Sequence, residues 1–120
     1  MVVARRPRTE LPDWIHHVTC RGPTELHPFP DPEEREQFLG GVGKVASEYG
    51  WSSLAYSTLT THYHLVVHVP DESLGAGMQK LHTRYARWLN ARLGRRGRVW
   101  ADRFYSRPVQ SPQHLANAIV

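Results

Sequence analysis

The period of hydrophobic and polar positions changes repeatedly along the chain, and each change predicts an element boundary. Trp14 to Cys20 reads as a strand that Arg21-Gly22-Pro23 ends. A proline-rich loop containing His27-Pro28-Phe29-Pro30 then leads to a helix start, with Asp31 as N-cap, Pro32 at the first helical position, and Glu33 and Glu34 in the first turn. Phe38, Leu39, Val42, Val45, Ala46 and Tyr49 fall at helical spacing, and Gly50 is placed to end the helix. Trp51 to Thr58 forms a second strand. His62 to Val69 forms a third, with Tyr63, Leu65, Val67 and Val69 on one face and His62, His64, Val66 and His68 on the other.

Pro70 and Asp71 close that strand, and Ser73 can cap a second long helix. Its stripe of Leu74, Met78, Leu81, Tyr85, Trp88 and Leu89 makes the aromatic pair core rather than ligand platform. Gly94 and Gly97 punctuate a basic turn, Phe104 to Val109 supplies a fourth strand, and Ser111-Pro112 starts a further helix with Leu115, Ala118 and Ile119 inward. The order β-α-β-β-α-β is the ferredoxin-like, split βαβ arrangement: an α+β fold with helices on an antiparallel sheet. With 120 residues the chain fits one domain, 1–120, whose first 13 residues, with Arg5, Arg6 and Arg8 between prolines, read as an extended basic arm.

Charge sharpens this picture by its distribution more than by the net value of +4. From Lys80 to Arg107 stand Lys80, Arg84, Arg87, Arg92, Arg95, Arg96, Arg98, Arg103 and Arg107, opposed by Asp102 alone. Such a regional footprint suits phosphates. Lys80, Arg84, Arg87, Arg95, Arg96, Arg98, Arg103 and Arg107 are the candidate phosphate-contacting residues, against the plainer reading of Arg95, Arg96 and Arg98 as a solvated turn. A single cysteine, Cys20, allows no internal disulfide and suits a packing role in a reducing setting. No apolar run approaches the roughly 20 residues that span a bilayer, and no signal-peptide stretch follows the N-terminal charges, so a soluble cytoplasmic protein is expected.

The candidate chemistry centres on His62-Tyr63-His64. Strand geometry points residues i and i+2 to one side, which could bring two imidazoles to one metal ion; two surface histidines explain the spacing equally well. His16 and His17 adjoin, so they face opposite ways, one expected packed and one exposed. His68 is expected to be a surface residue rather than a third ligand, and His82 and His114 are expected on polar helix faces. Trp51 and Trp100 could stack on splayed bases, but core packing is the commoner fate of tryptophan in a small domain.

Context favours the metal reading. Thr61-His62-Tyr63-His64-Leu65-Val66-Val67, followed by Gly77-Met78-Gln79-Lys80-Leu81, Arg84-Tyr85-Ala86 and Arg103-Phe104, resembles the HUH-type insertion-sequence tyrosine transposases, most closely those associated with repetitive extragenic palindromes (REP). His17-Val18-Thr19 with Arg21-Gly22 after it, and the Phe38-Leu39 helix, look like the same family's N-terminal half, so the resemblance spans nearly all of the chain. It implies the HUH endonuclease fold and a divalent metal, Mg2+ or Mn2+, held by His62 and His64. It also implies a tyrosine on a later helix that cuts single-stranded or hairpin DNA, leaving a 5′-phosphotyrosine and a free 3′-hydroxyl. Nitrogen donors suit manganese better than magnesium.

The pattern departs from the family in two places. Thr60-Thr61 stand where Pro-Asn usually precedes the HUH triplet, which puts a local turn or contact in doubt. Matching Ser111 to Val120 against the family's last helix puts the nucleophilic tyrosine and a further polar ligand beyond Val120, so cleavage by this chain alone is not expected. Tyr105 is the least implausible substitute nucleophile; Tyr49, Tyr63 and Tyr85 read as structural. Two alternatives stand beside the transposase reading: a non-catalytic nucleic-acid-binding module, and a small divalent-metal-binding protein or hydrolase. Self-association into a homodimer is left open.

Overall fold

The structure, a computed structural model, describes residues 14–109. Its elements are β1 (Trp14–Arg21), α1 (Pro32–Tyr49), β2 (Ser52–Thr58), β3 (His62–Val69), α2 (Leu74–Leu93) and β4 (Tyr105–Pro108). The strands form one antiparallel sheet in the order β2-β3-β1-β4. This is the expected α+β split βαβ arrangement. The basic arm, and the helix expected from Ser111 onward with His114 on it, lie outside the described residues.

Both helices cover one face of the sheet. β3 supplies Tyr63, Leu65, Val67 and Val69 to that face, and β1 supplies Val18 and Cys20; α1 answers with Phe38, Val42 and Val45, and α2 with Leu74, Met78, Leu81, Tyr85 and Leu89. The alternation read from the sequence therefore sorts β3 correctly, and it does so because only one of its faces meets the helices. Gly50 and Gly94 end the two helices in the left-handed region, at φ of 73° and 61°, where glycine carries no steric penalty. The expected caps sit where the sequence puts them, but neither Asp31 nor Ser73 makes a side-chain cap bond. Ser73 is otherwise engaged: its Oγ accepts from Trp51 Nε1 at 2.9 Å.

That bond fixes Trp51 against α2. A Cβ placed on Gly77 would clash with the Cζ2 and Cη2 atoms of the Trp51 indole and lie 3.1 Å from Val45 Cγ1. Glycine is required there by close approach, as α2 crosses the tryptophan. Trp100 lies among Phe29, Phe38, Tyr63 and Tyr85, with ring centroids 5.6–5.9 Å away. Both tryptophans thus pack in or against the core, as expected.

His82 corrects the sequence reading. Expected on a polar helix face, it lies instead at the edge of the apolar stripe, one position beyond Leu81 and one turn before Tyr85. Its Nε2 bonds the Tyr63 hydroxyl at 2.8 Å, and its ring stacks on Trp100 with centroids 4.2 Å apart. Burial pushes its pKa down to about 4. The imidazole is therefore neutral at physiological pH, and it satisfies the hydroxyl of the fully buried Tyr63.

Two predictions follow from this packing. Gly77→Ala should lose about 1–3 kcal/mol of stability through overpacking, whereas Gly43→Ala, where an added Cβ meets nothing within 4 Å, should gain roughly 0.5–1 kcal/mol from helix propensity; urea titration of both variants checks the contrast. His82 makes stability depend on pH, because the unfolded chain takes up a proton near pH 6.5 that the folded chain refuses until about pH 4. Its contribution is present above pH 6.5 and is lost as pH falls to about 4, up to roughly 3 kcal/mol at 1.36 kcal/mol per unit. In His82→Gln the slope of unfolding free energy against pH across that window should flatten.

Candidate metal and nucleic-acid site

The site is built on the sheet face turned away from α1 and α2. In the β1–β3 register Arg21 stands opposite His62, Thr19 opposite His64, and His17 opposite Val66. Tyr105 and Arg107 of β4 stand opposite Thr19 and His17. Directly opposed residues share a face, so His62, His64, His17, Thr19, Arg21, Tyr105 and Arg107 all lie on the far side from the helices.

Loop contacts hold the end of β3 that begins with His62. Gly22 N–H donates to Thr61 O at 2.9 Å, Phe29 N–H to Thr60 O at 3.1 Å, and Leu59 N–H to His62 O at 2.8 Å. Ala101 N–H donates to Arg21 O at 2.8 Å, which brings the loop before β4 across the end of β1. Between them opens a cleft of about 660 Å3 lined by Thr19, Cys20, Arg21, His62, Asp102, Arg103, Phe104 and Tyr105. Its size falls within the usual range of ligand sites.

The two histidines are half-buried, with ring centroids 5.2 Å apart and planes at 80°. Two imidazoles each about 2.1 Å from one ion would have centroids roughly 4.6–5.3 Å apart at ligand angles between square and tetrahedral. The observed pair fits that spacing. The Nδ1 atom of each ring is engaged: His62 Nδ1 with Thr61 Oγ1 at 2.9 Å, and His64 Nδ1 with His17 Nε2 at 3.0 Å. Neither Nε2 has a hydrogen-bond partner among the described residues. Thr61, one of the two departures from the family pattern, thus makes a direct contact with the first histidine.

Burial, and secondarily the charge of His62, lowers the pKa of His64, which favours the neutral imidazole that a metal needs. Among the described residues no group of three or more His, Cys, Asp or Glu is gathered as a metal site. His68 shares the far face but is not brought into such a group.

His17 was missed by the sequence reading as a site residue. Of the adjacent pair His16 and His17, one was expected exposed; both are buried, at 0% and 8%. His16 shares with Val18 and Cys20 the face that the helices cover, while on the other face the His17 ring lies against that of His64. Arg21 was missed too. Counting in steps of two from His17 through Thr19 to Arg21 places these residues on one face, but the partner of that face is set by the register with β3, which no local pattern reveals.

The candidate phosphate contacts separate into groups. Lys80 and Arg84 project from α2 and clasp Glu48 of α1 at 3.3 and 2.8 Å, on the opposite side of the molecule from the histidines. Arg92, also on α2, is held by Glu33 and the buried Glu34. Arg95 donates to Asn90 Oδ1 and Arg98 O, and so shapes the turn after α2; Arg98 lies 3.9 Å from Glu25. Arg87, Arg96, Arg103 and Arg107 form no ion pair among the described residues. Of these, Arg103 lines the cleft with its guanidinium over the Phe104 ring at 5.7 Å, and Arg107 stands on the far face.

Tyr105 is 55% exposed and lines the cleft with His62. Tyr63 and Tyr85 are buried, and burial raises both phenol pKa values above the ordinary range; both are structural, as expected. Cys20 is buried, and burial pushes its thiol up to about 11, consistent with packing. No described helix is long and apolar enough to cross a membrane. The tyrosine and ligand expected after Val120 lie outside the described residues.

Comparison with solved structures supports the fold. A REP-associated tyrosine transposase bound to a REP hairpin superposes with a TM-score of 0.76 at 11% identity, covering 95% of this chain and 67% of that one. A protein assigned as a transposase from Deinococcus radiodurans R1 superposes with a TM-score of 0.66 at 14% identity, covering 93% of this chain and 90% of that one. Among curated proteins none matches the chain. The family described as "Transposase IS200 like" matches residues 13–117, nearly the whole sequence. The chain therefore belongs to the IS200-like transposase family, and its function is of the DNA-transposase type.

Proposed function

We propose that this domain binds single-stranded or hairpin DNA along the far face of its sheet and presents a phosphate to a divalent ion held by His62 and His64. The observation that carries the reading is the cleft that joins His62 to Arg21, Arg103 and Tyr105. The hairpin-bound neighbour supports the choice of DNA form. An ion at the two imidazoles, Mn2+ or Mg2+, would supply Lewis acidity at a phosphate oxygen.

The chain's own residues do the rest. Arg21 and Arg103 flank His62 and offer guanidinium forks to the adjoining phosphates, and Arg107 extends the positive track along β4. Thr61 and the loop bonds at residues 59–61 hold His62 in place. Arg87, Arg95, Arg96 and Arg98 do not line the cleft and would serve contacts outside it, while Lys80 and Arg84 contribute less because both are paired with Glu48.

Tyr105 is an exposed phenol that lines the cleft with His62, which supports a second reading in which it attacks the phosphorus. Its oxygen would form the phosphotyrosine bond as the P–O3′ bond breaks, and the departing 3′ oxygen would take a proton to become the hydroxyl. The non-catalytic module and the small metalloprotein remain as competitors, separated by the measurements below.

Calorimetry with Mn2+ should show weak binding that His62→Ala and His64→Ala each abolish; unchanged affinity in both variants removes the metal site. Hairpin binding should weaken with salt at a log–log slope of roughly −3 if about four phosphates are neutralised, at about −0.7 each on single strands. Arg103→Ala with Arg107→Ala should weaken it more than Lys80→Ala with Arg84→Ala. Equal losses would move the DNA off the far face, and salt-independent or absent binding would favour the metalloprotein. With end-labelled hairpin and Mn2+, a denaturation-resistant adduct lost in Tyr105→Phe identifies Tyr105 as nucleophile; one that persists in that variant rejects it.

A further inference from the structure

The contact between His17 and His64 carries more than packing. A neutral imidazole has one N–H and one lone pair, so a 3.0 Å contact between two ring nitrogens holds one proton between them. Two arrangements satisfy it. In the first, His64 Nδ1–H donates to His17 Nε2, and His64 Nε2 keeps its lone pair. In the second, His17 Nε2–H donates to His64 Nδ1, and the His64 proton moves to Nε2, where it blocks coordination.

The surroundings favour the first arrangement. His64 Nε2 has no acceptor among the described residues, so the first arrangement gives the His64 proton a protein acceptor in His17 Nε2, whereas the second leaves it to solvent. On the neighbouring ring, Thr61 Oγ1 engages His62 Nδ1, so both histidines have the δ nitrogen occupied and the ε nitrogen without a protein partner. His17 is only 8% exposed, and its ring lies 5.2 Å from that of His64 with planes 30° apart, so water cannot readily take its place.

We infer that His17 is a positioning residue which accepts the His64 Nδ1 proton, and so presets the tautomer in which His64 Nε2 is free to bind a cation. The inference rests on the proposed role of His64 as a metal ligand, but the tautomer it specifies exists without any metal. Outer partners of ligating histidines commonly act in this way, and their loss typically costs 10–100-fold in metal affinity.

The test begins with the metal-free chain. Two-bond 1H–15N spectra of the histidine rings should show His64 with its proton on Nδ1; a proton on Nε2 overturns the inference. His17→Gln supplies a carbonyl acceptor and should preserve the tautomer and hold Mn2+ affinity within about threefold of the original. His17→Met supplies no such acceptor, so His64 should shift toward the Nε2–H form and Mn2+ should bind 10–100-fold more weakly. An unchanged tautomer in His17→Met also overturns it, as does an equal loss of affinity in the two variants. If either variant fails to fold, the spectrum of the original chain still decides. Absence of Mn2+ binding in the original chain would instead contradict the metal reading, and the metal-free spectrum keeps the two failures apart.

Discussion

The antiparallel register between β1 and β3 is the constraint on which the site depends. Tyr63, Leu65, Val67 and Val69 must meet the helices, and because strand side chains alternate with a period of two, His62 and His64 must then face away from them. A slip of one residue would drive two imidazoles into the core and expose the apolar row. The same pairing carries His17, Thr19 and Arg21 to the histidines, so one set of backbone bonds both closes the core and assembles the far face.

The two faces are joined through Tyr63. Its position between the histidines sends its ring the other way, into contact with Phe38 and Trp100, and its hydroxyl to His82 on α2. The strand that bears the candidate ligands is thereby bolted to a helix, which limits how far the histidines can drift. On the far face, side-chain bonds from Thr61 and His17 hold the rings themselves. Rigid strands with a supporting layer of hydrogen bonds suit a site whose groups must be held in one geometry.

Much of this was legible in the sequence. Regular alternation placed β3 to the residue, and the N-terminal Pro32 and terminal Gly50 bounded α1, because these signals are local. The His62/His64 pair and its face were legible for the same reason. What was not legible depends on distant pairing: that His17 reaches His64, that Arg21 sits beside His62, and that His82 serves Tyr63 rather than solvent. Charge was the least legible, since a run of cations from Lys80 to Arg107 reads as continuous along the chain, yet Glu48, Glu33 and Glu34, remote in sequence, draw three of them onto the helix side. Arg103 and Arg107 fall on the site's side only because the chain crosses β1 before entering β4.

If metal and DNA meet on the far face at His62 and His64, an ion there must lie close to a bound phosphate. The most direct measurement is the 31P relaxation of a short hairpin oligonucleotide bound to the protein, recorded before and after adding Mn2+. The paramagnetic ion should sharply accelerate relaxation of one or two phosphates in the original chain, and the effect should vanish in the His62→Ala/His64→Ala double variant with the DNA still bound. Relaxation enhanced equally in the double variant, or unchanged in the original chain with both DNA and Mn2+ bound, would contradict the account.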